Sequence, residues 1–313
     1  MASLHPAGRT TPTARPRRKR ASLAAQRQRL FYWLISPWIF GFLAFVLGPM
    51  VFSAYLSLTR WNLLNRPAFI GLGNYQAMLR DPLFWQSLKV TTVYALISVP
   101  LTMAFGLFLA VLLNQKVRGL SLFRTIFYLP SVISGVAVAE VFMWVFNPQF
   151  GVLNVFLSYL GLHGPGWIAS PNWALPALIL MSLFGVGAPM IIFLAGLQNV
   201  PPALMEAASL DGASNWRRFW TVVIPLLTPT ILFNLVLSII NQFQVFTQAY
   251  VMTQGGPLNS TLFYVYYLFD NAFQYLNFGY AAAMAWVLFF IVLSLTVIVL
   301  ASSGRWVFYQ GGE

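Results

Sequence analysis

Six stretches of at least 20 predominantly apolar residues, at about 31–58, 88–113, 122–146, 173–197, 229–250 and 280–302, constrain this chain more than any other feature. At about 1.5 Å of rise per residue, 20 helical residues cross the roughly 30 Å of a bilayer's hydrocarbon, where each backbone N–H and C=O needs a partner inside the protein. The expected fold is therefore all-α: a membrane protein of six transmembrane helices. Composition agrees, with 59% hydrophobic and 8% charged residues and a mean hydropathy of +0.73. Soluble domains carry about 25% charged residues. The first stretch is too long for a signal-peptide core and lacks a convincing cleavage site, so it reads as an uncleaved anchor.

The net charge of +12 invites a nucleic-acid reading, and position argues against it. Eight of the 18 basic residues precede Leu30, around RPRRKR, and most others flank apolar spans. A basic tail beside a membrane helix serves topology and anionic lipid. Residues 1–29, with Pro6, Pro12 and Pro16 among Ser and Thr, are expected to be a disordered basic tail, and 30–313 the membrane domain. Six spans put both termini on one side. That side collects 14 basic residues, against Arg60, Arg66, Arg80 and Lys89 on the other. The positive-inside rule then places the termini, and the polar loop at 198–225, in the cytoplasm.

The inventory holds little for catalysis. Zero cysteines exclude disulfides and thiolate ligands, His5 and His163 are the only histidines, and neither an HExxH pair nor a GxxxxGK[ST] loop is present. No catalytic residue, metal site or cofactor is expected. What the spans do offer is polarity without charge. At about 100° per residue, Asn234, Ser238, Asn241 and Gln248 fall on one stripe of the fifth span, with Gln242 and Gln244 on its flanks. Amides donate and accept, which suits hydroxyl-rich solutes. The alternative is that they bond neighbouring helices. Glu140 is the only acid well inside a span, and it needs protein or water to face; a solute path, a partner subunit or a neutral carboxyl would each suit it. Pro100, Pro130, Pro176 and Pro189 are either tolerated kinks or helix breaks beside a path.

The loop between the fourth and fifth spans carries both signs of charge: PPALMEAASLDGASNWRRFWTVVIPLLTP at Pro201–Pro229. Its prolines suit the first turn of a helix, Ala203, Leu204, Ala207, Ala208 and Leu210 recur at helical spacing, and Asp211-Gly212 is a stop. Ser214 can cap a second short helix with Trp216, Arg217 and Arg218. Glu206-Ala207-Ala208, three residues, Gly212, nine residues and Val222-Val223-Ile224-Pro225 resemble the EAA loop of bacterial ABC-importer permeases. Val222 and Ile224 depart mildly from the family's Ile-x-Leu-Pro ending.

Further segments are similar to the carbohydrate-uptake branch of that family, including FIGLGNY at Phe69–Tyr75, LFRTIFYLP at Leu122–Pro130, FNPQFGVLN at Phe146–Asn154 and FQVFTQAYVMTQGGP at Phe243–Pro257. The resemblance runs from about residue 30 to the C-terminus. It implies a multi-pass permease of the bacterial inner membrane, of the type I importer fold, passing a sugar, oligosaccharide or glycerol-phosphate-like solute. It also implies partners: a second permease, two cytoplasmic ATPase subunits that hold the ATP-Mg, and an extracytoplasmic binding protein. Glu206, Ala207, Ala208, Asp211, Gly212, Arg217 and Arg218 would couple to the ATPase, and the fifth-span amides with Glu140 would line the path. A self-contained secondary transporter is the alternative. It would call for internal repeats and several intramembrane ionisable groups, and Glu140 stands alone.

Overall fold

The computed structural model describes residues 23–115 and 118–308, and the chain divides into two compact units, up to Ser53 and from Ala54 onward. In the first unit, helix α1 (Leu23–Phe42) runs through a π-helical turn at Leu43–Leu47 into α2 (Gly48–Ser57), whose last turn belongs to the second unit. Of the expected tail, residues 1–22 lie outside the described residues. Leu23–Arg29 is helical and continuous with the expected first span; Leu23, Ala24, Ala25 and Gln26 are good helix formers.

The second unit opens with a small antiparallel pair, β1 (Thr59–Arg60) and β2 (Ala68–Phe69), then α3 (Gly73–Arg80) and the long α4 (Pro82–Leu113). The third span is α5 (Leu120–Tyr128), a 3-10 turn at Leu129–Ser131 and α6 (Gly135–Val145). Helix α7 (Val152–Tyr159) lies in the following loop. The fourth span is α8 (Ala174–Ser182), a 3-10 turn and α9 (Gly187–Gln198). Next come α10 (Pro202–Leu210), α11 (Asn215–Arg218), a π-helical turn and α12 (Ile224–Phe243). Helices α13 (Tyr264–Phe269) and α14 (Phe278–Ser303) complete the chain.

Among the described residues, four helices are long and apolar enough to cross a membrane, and up to six spans result when each bent pair counts as one. The third span was expected as one helix over 122–146 and is bent by 95°; the fourth is bent by 46°. Pro130 removes a backbone donor at the first bend, and Gly185 and Gly187 loosen the second. Pro176 and Pro189 fall in the first turns of α8 and α9, where no intrahelical N–H is missed, and Pro100 is absorbed within a continuous α4.

Helix α4 is the spine, packed against α9 and α12 at one end and α8 and α13 towards the other. One apolar cluster gathers Phe84, Tyr94, Phe146, Phe263, Tyr264 and Met284, and a second gathers Leu109, Met190, Phe193, Leu197 and Leu227. Small residues set the helix spacing: a Cβ on Gly196 would lie 2.6 Å from Thr230 Oγ1, so α9 and α12 touch there through hydrogen alone. At the start of α4, Asp81 accepts from Leu83 N–H at 2.9 Å and from the hydroxyls of Tyr267 and Tyr280 at 2.6 and 2.7 Å. One carboxylate thus caps α4 and ties it to α13 and α14.

Candidate functional site

The fifth span does not run as one helix over 229–250. Helix α12 ends at Phe243, the chain turns through Gln244–Phe246, and a helical segment resumes at Thr247. Gln248 is therefore not on the helical stripe that grouped it with Asn234, and Gln244 is not on that stripe's flank. The break brings them together instead. Asn241, Gln242, Gln244, Thr247 and Gln248 line a chamber of about 370 Å³, with Tyr94 of α4 and Ser182 of α8 opposite. The bends of the third and fourth spans reach the same space through Pro130, Ile133, Gly135, Phe184 and Gly185.

Three interrupted spans thus converge on one cavity. Irregular backbone at membrane depth is tolerated where it is buried in protein or lines a cavity, because its freed N–H and C=O groups need partners. The chamber also falls in the usual size range of small-molecule sites, about 300–1,000 Å³. No acidic or basic side chain lines it. Its polar groups are four amides and three hydroxyls, able to exchange hydrogen bonds with a neutral polyhydroxylated solute.

Asn234 and Ser238, the other two residues of the expected stripe, do not line this chamber. Both are buried, Asn234 to 1% exposure, and its amide reaches the Pro189 carbonyl of α9 at 3.5 Å. Asn234 thus reaches a neighbouring helix, the alternative the sequence left open. Glu140 does not join the chamber either. It is exposed on α6 in a separate apolar recess lined by Val141, Trp144, Val145, Phe150 and Val152. The sequence pointers missed Tyr94, Ser182 and Thr247. The prolines and glycines interrupting spans three and four were the available signal for the cavity.

The loop at 198–225 forms the two short helices expected. Asp211 ends α10, Gly212 adopts φ +75°, and Ser214 Oγ accepts from Arg217 N–H at 3.3 Å to start α11. The left-handed φ is one that a side chain strains, so glycine sets the angle between the helices. Glu206, Ala207, Asp211 and Arg217 are exposed, and Ala208 and Arg218 are partly covered, with Arg218 donating to Asn215 Oδ1. Leu210 is 90% exposed and Trp216 70% exposed, so the elbow presents an apolar tip between charges.

Residues 102–306 match the family described as "Binding-protein-dependent transport system inner membrane component". The chain is 46% identical over 288 residues to the probable ABC transporter permease protein YesP of Bacillus subtilis, covering 90% of this chain and 93% of that protein. It is 37% identical over 273 residues to the lactose transport system permease protein LacF of Rhizobium radiobacter, covering 84% and 91%. Among solved structures it superposes on a chain of a bacterial ABC transporter involved in the import of the acidic polysaccharide alginate. That match has a TM-score of 0.78 at 25% identity and covers 90% of this chain and 96% of the other.

Proposed function

The chain belongs to the family of binding-protein-dependent transport system inner membrane components, and on that basis we propose that it is the permease subunit of an ATP-driven carbohydrate importer. It is a multi-pass protein of the bacterial inner membrane. The observation that carries the solute class is the chamber: four amides and three hydroxyls, no formal charge, at the meeting point of three broken spans. A neutral sugar offers many hydroxyls to such groups and no charge that would require a counter-ion. The lactose system of the relative LacF supports the same class.

The sequence carries no GxxxxGK[ST] loop, and in this reading ATP-Mg belongs to two cytoplasmic ATPase subunits. A second permease completes the path, and an extracytoplasmic binding protein delivers the solute. The termini and the elbow at α10 and α11 face the cytoplasm. There Glu206 makes a charged contact with the ATPase, Gly212 fixes the bend, Arg217 and Arg218 set register, and the Ala207-Ala208 surface permits close approach. Closure of the ATPases moves the elbow, and the bent spans switch the chamber between the two sides of the membrane.

The test is ATP-dependent uptake of labelled neutral mono- and oligosaccharides by vesicles containing the complete transporter. Asn241→Ala and Gln244→Ala should each lower uptake of the transported sugar about tenfold, the order of one to two lost hydrogen bonds, with the same amount of protein in the membrane. Unchanged uptake in both variants would remove these amides from the path.

A further inference from the structure

Helix α6 presents two opposed faces. Gly135 and Val138 line the amide chamber. Glu140 follows Val138 by two residues, about 200° around a helix, and Val136, Glu140 and Trp144 form a stripe at intervals of four on the far side. Glu140 is exposed there, in a recess of about 450 Å³ whose other lining residues, Val141, Trp144, Val145, Phe150 and Val152, leave the Trp144 indole as their one polar side-chain group. Among the described residues no hydrogen bond or ion pair to the Glu140 carboxyl is found, whereas Asp81, at the start of α4, has three donors.

An acidic side chain within a span turned towards acyl chains is disfavoured, and such groups face protein or water. Within the second unit the described residues leave this one uncovered, and the chamber lies on the opposite face of α6. We infer that the Val136–Glu140–Trp144 face of α6 is an interface with the second permease subunit, and that Glu140 there accepts from a donor or cation on a membrane helix of that subunit. The inference rests on the permease reading, which supplies the neighbour. An apolar recess ringed by exposed valines and Trp144, which is 73% exposed, suits a packed helix. The single carboxyl at its centre fixes which helix and which register, the best attested use of an isolated polar group in an apolar interface.

The experiment uses the whole transporter in native membranes. A photo-crosslinking benzoylphenylalanine in place of Val141, beside Glu140, should join this chain to a second membrane subunit. Glu140→Met, apolar and of similar length, should lower the second permease recovered in mild detergent tenfold or more, the effect of removing one member of a desolvated polar pair. Glu140→Gln, which keeps an acceptor, should retain most of it. Crosslinking to lipid alone, or full recovery with Glu140→Met, overturns the inference while leaving the permease reading intact. Wild-type protein that brings down no second membrane subunit overturns both.

Discussion

Two aspartates at the same end of the bundle show how little a residue type says without its partners. Asp81 has three donors, one from the start of its own helix and two from tyrosines nearly 200 positions away in the chain. Its replacement by alanine removes a cap and leaves two phenols searching for acceptors. Asp81→Ala should therefore lower stability by about 2 kcal/mol, more than Tyr267→Phe or Tyr280→Phe alone, read as the thermal midpoint of the purified protein in detergent. Equal effects of the three changes would mean that the tyrosines do not share the carboxylate. Asp270 is buried with Oδ1 unpartnered. Burial raises its carboxyl above the ordinary value, and a hydrogen bond from Tyr266 offsets part of the rise. The folded state thus favours the neutral acid. Its contribution is fully present below the unfolded carboxylate's pKa of about 4 and is lost as pH climbs through the raised folded value. The midpoint of the wild type should fall across that window, and Asp270→Asn should flatten the fall; parallel curves would contradict it.

At the scale of elements, contacts between helices depend on where side chains are missing. Gly196 lets α9 lie against α12, and a valine there meets Thr230 and Leu227. Gly196→Val should lower the thermal midpoint by the equivalent of about 1–3 kcal/mol, the usual cost of overpacking. A midpoint equal to wild type would show that the helices can part without loss. The elements also differ in how far the sequence announces them. The spans are legible because apolar length alone selects a membrane helix, and the α10–Gly212–Ser214–α11 elbow because Pro202, Gly212 and Ser214 each obey a backbone rule that needs no distant neighbour. The end of α12 at Phe243 obeys no such rule. Gln244 to Phe246 carries neither proline nor glycine, and the chain turns there because its side chains pack against residues far away in sequence. A helical wheel drawn through that break joined Gln248 to Asn234, Ser238 and Asn241, while the break itself brought Gln244 and Gln248 to the chamber beside Asn241 and Gln242. Glu140 was likewise visible as costly, and which face it occupied depended on the bend before α6.

For the molecule as a whole, two features face in different directions: a chamber of uncharged hydrogen-bonding groups among the spans, and a charged, apolar-tipped elbow outside them. A permease needs both, one to hold a solute briefly and one to receive work done elsewhere. The exposed Leu210 and Trp216 would gain about 1.5–3 kcal/mol each if a partner covered them fully, and in the proposed coupling the exposed Glu206 would add the specificity that apolar contact lacks. Entry of energy through this elbow from a separate ATPase follows from the proposed function. It is tested most directly by affinity purification of the tagged chain from native membranes in mild detergent, with identification of the copurifying proteins and an ATPase assay, for wild type and for Glu206→Lys. An ATPase subunit and ATP hydrolysis are expected with the wild type, and loss of both, by tenfold or more, with Glu206→Lys at equal membrane insertion. Recovery of this chain alone from the wild type, with no ATP hydrolysis, would contradict it.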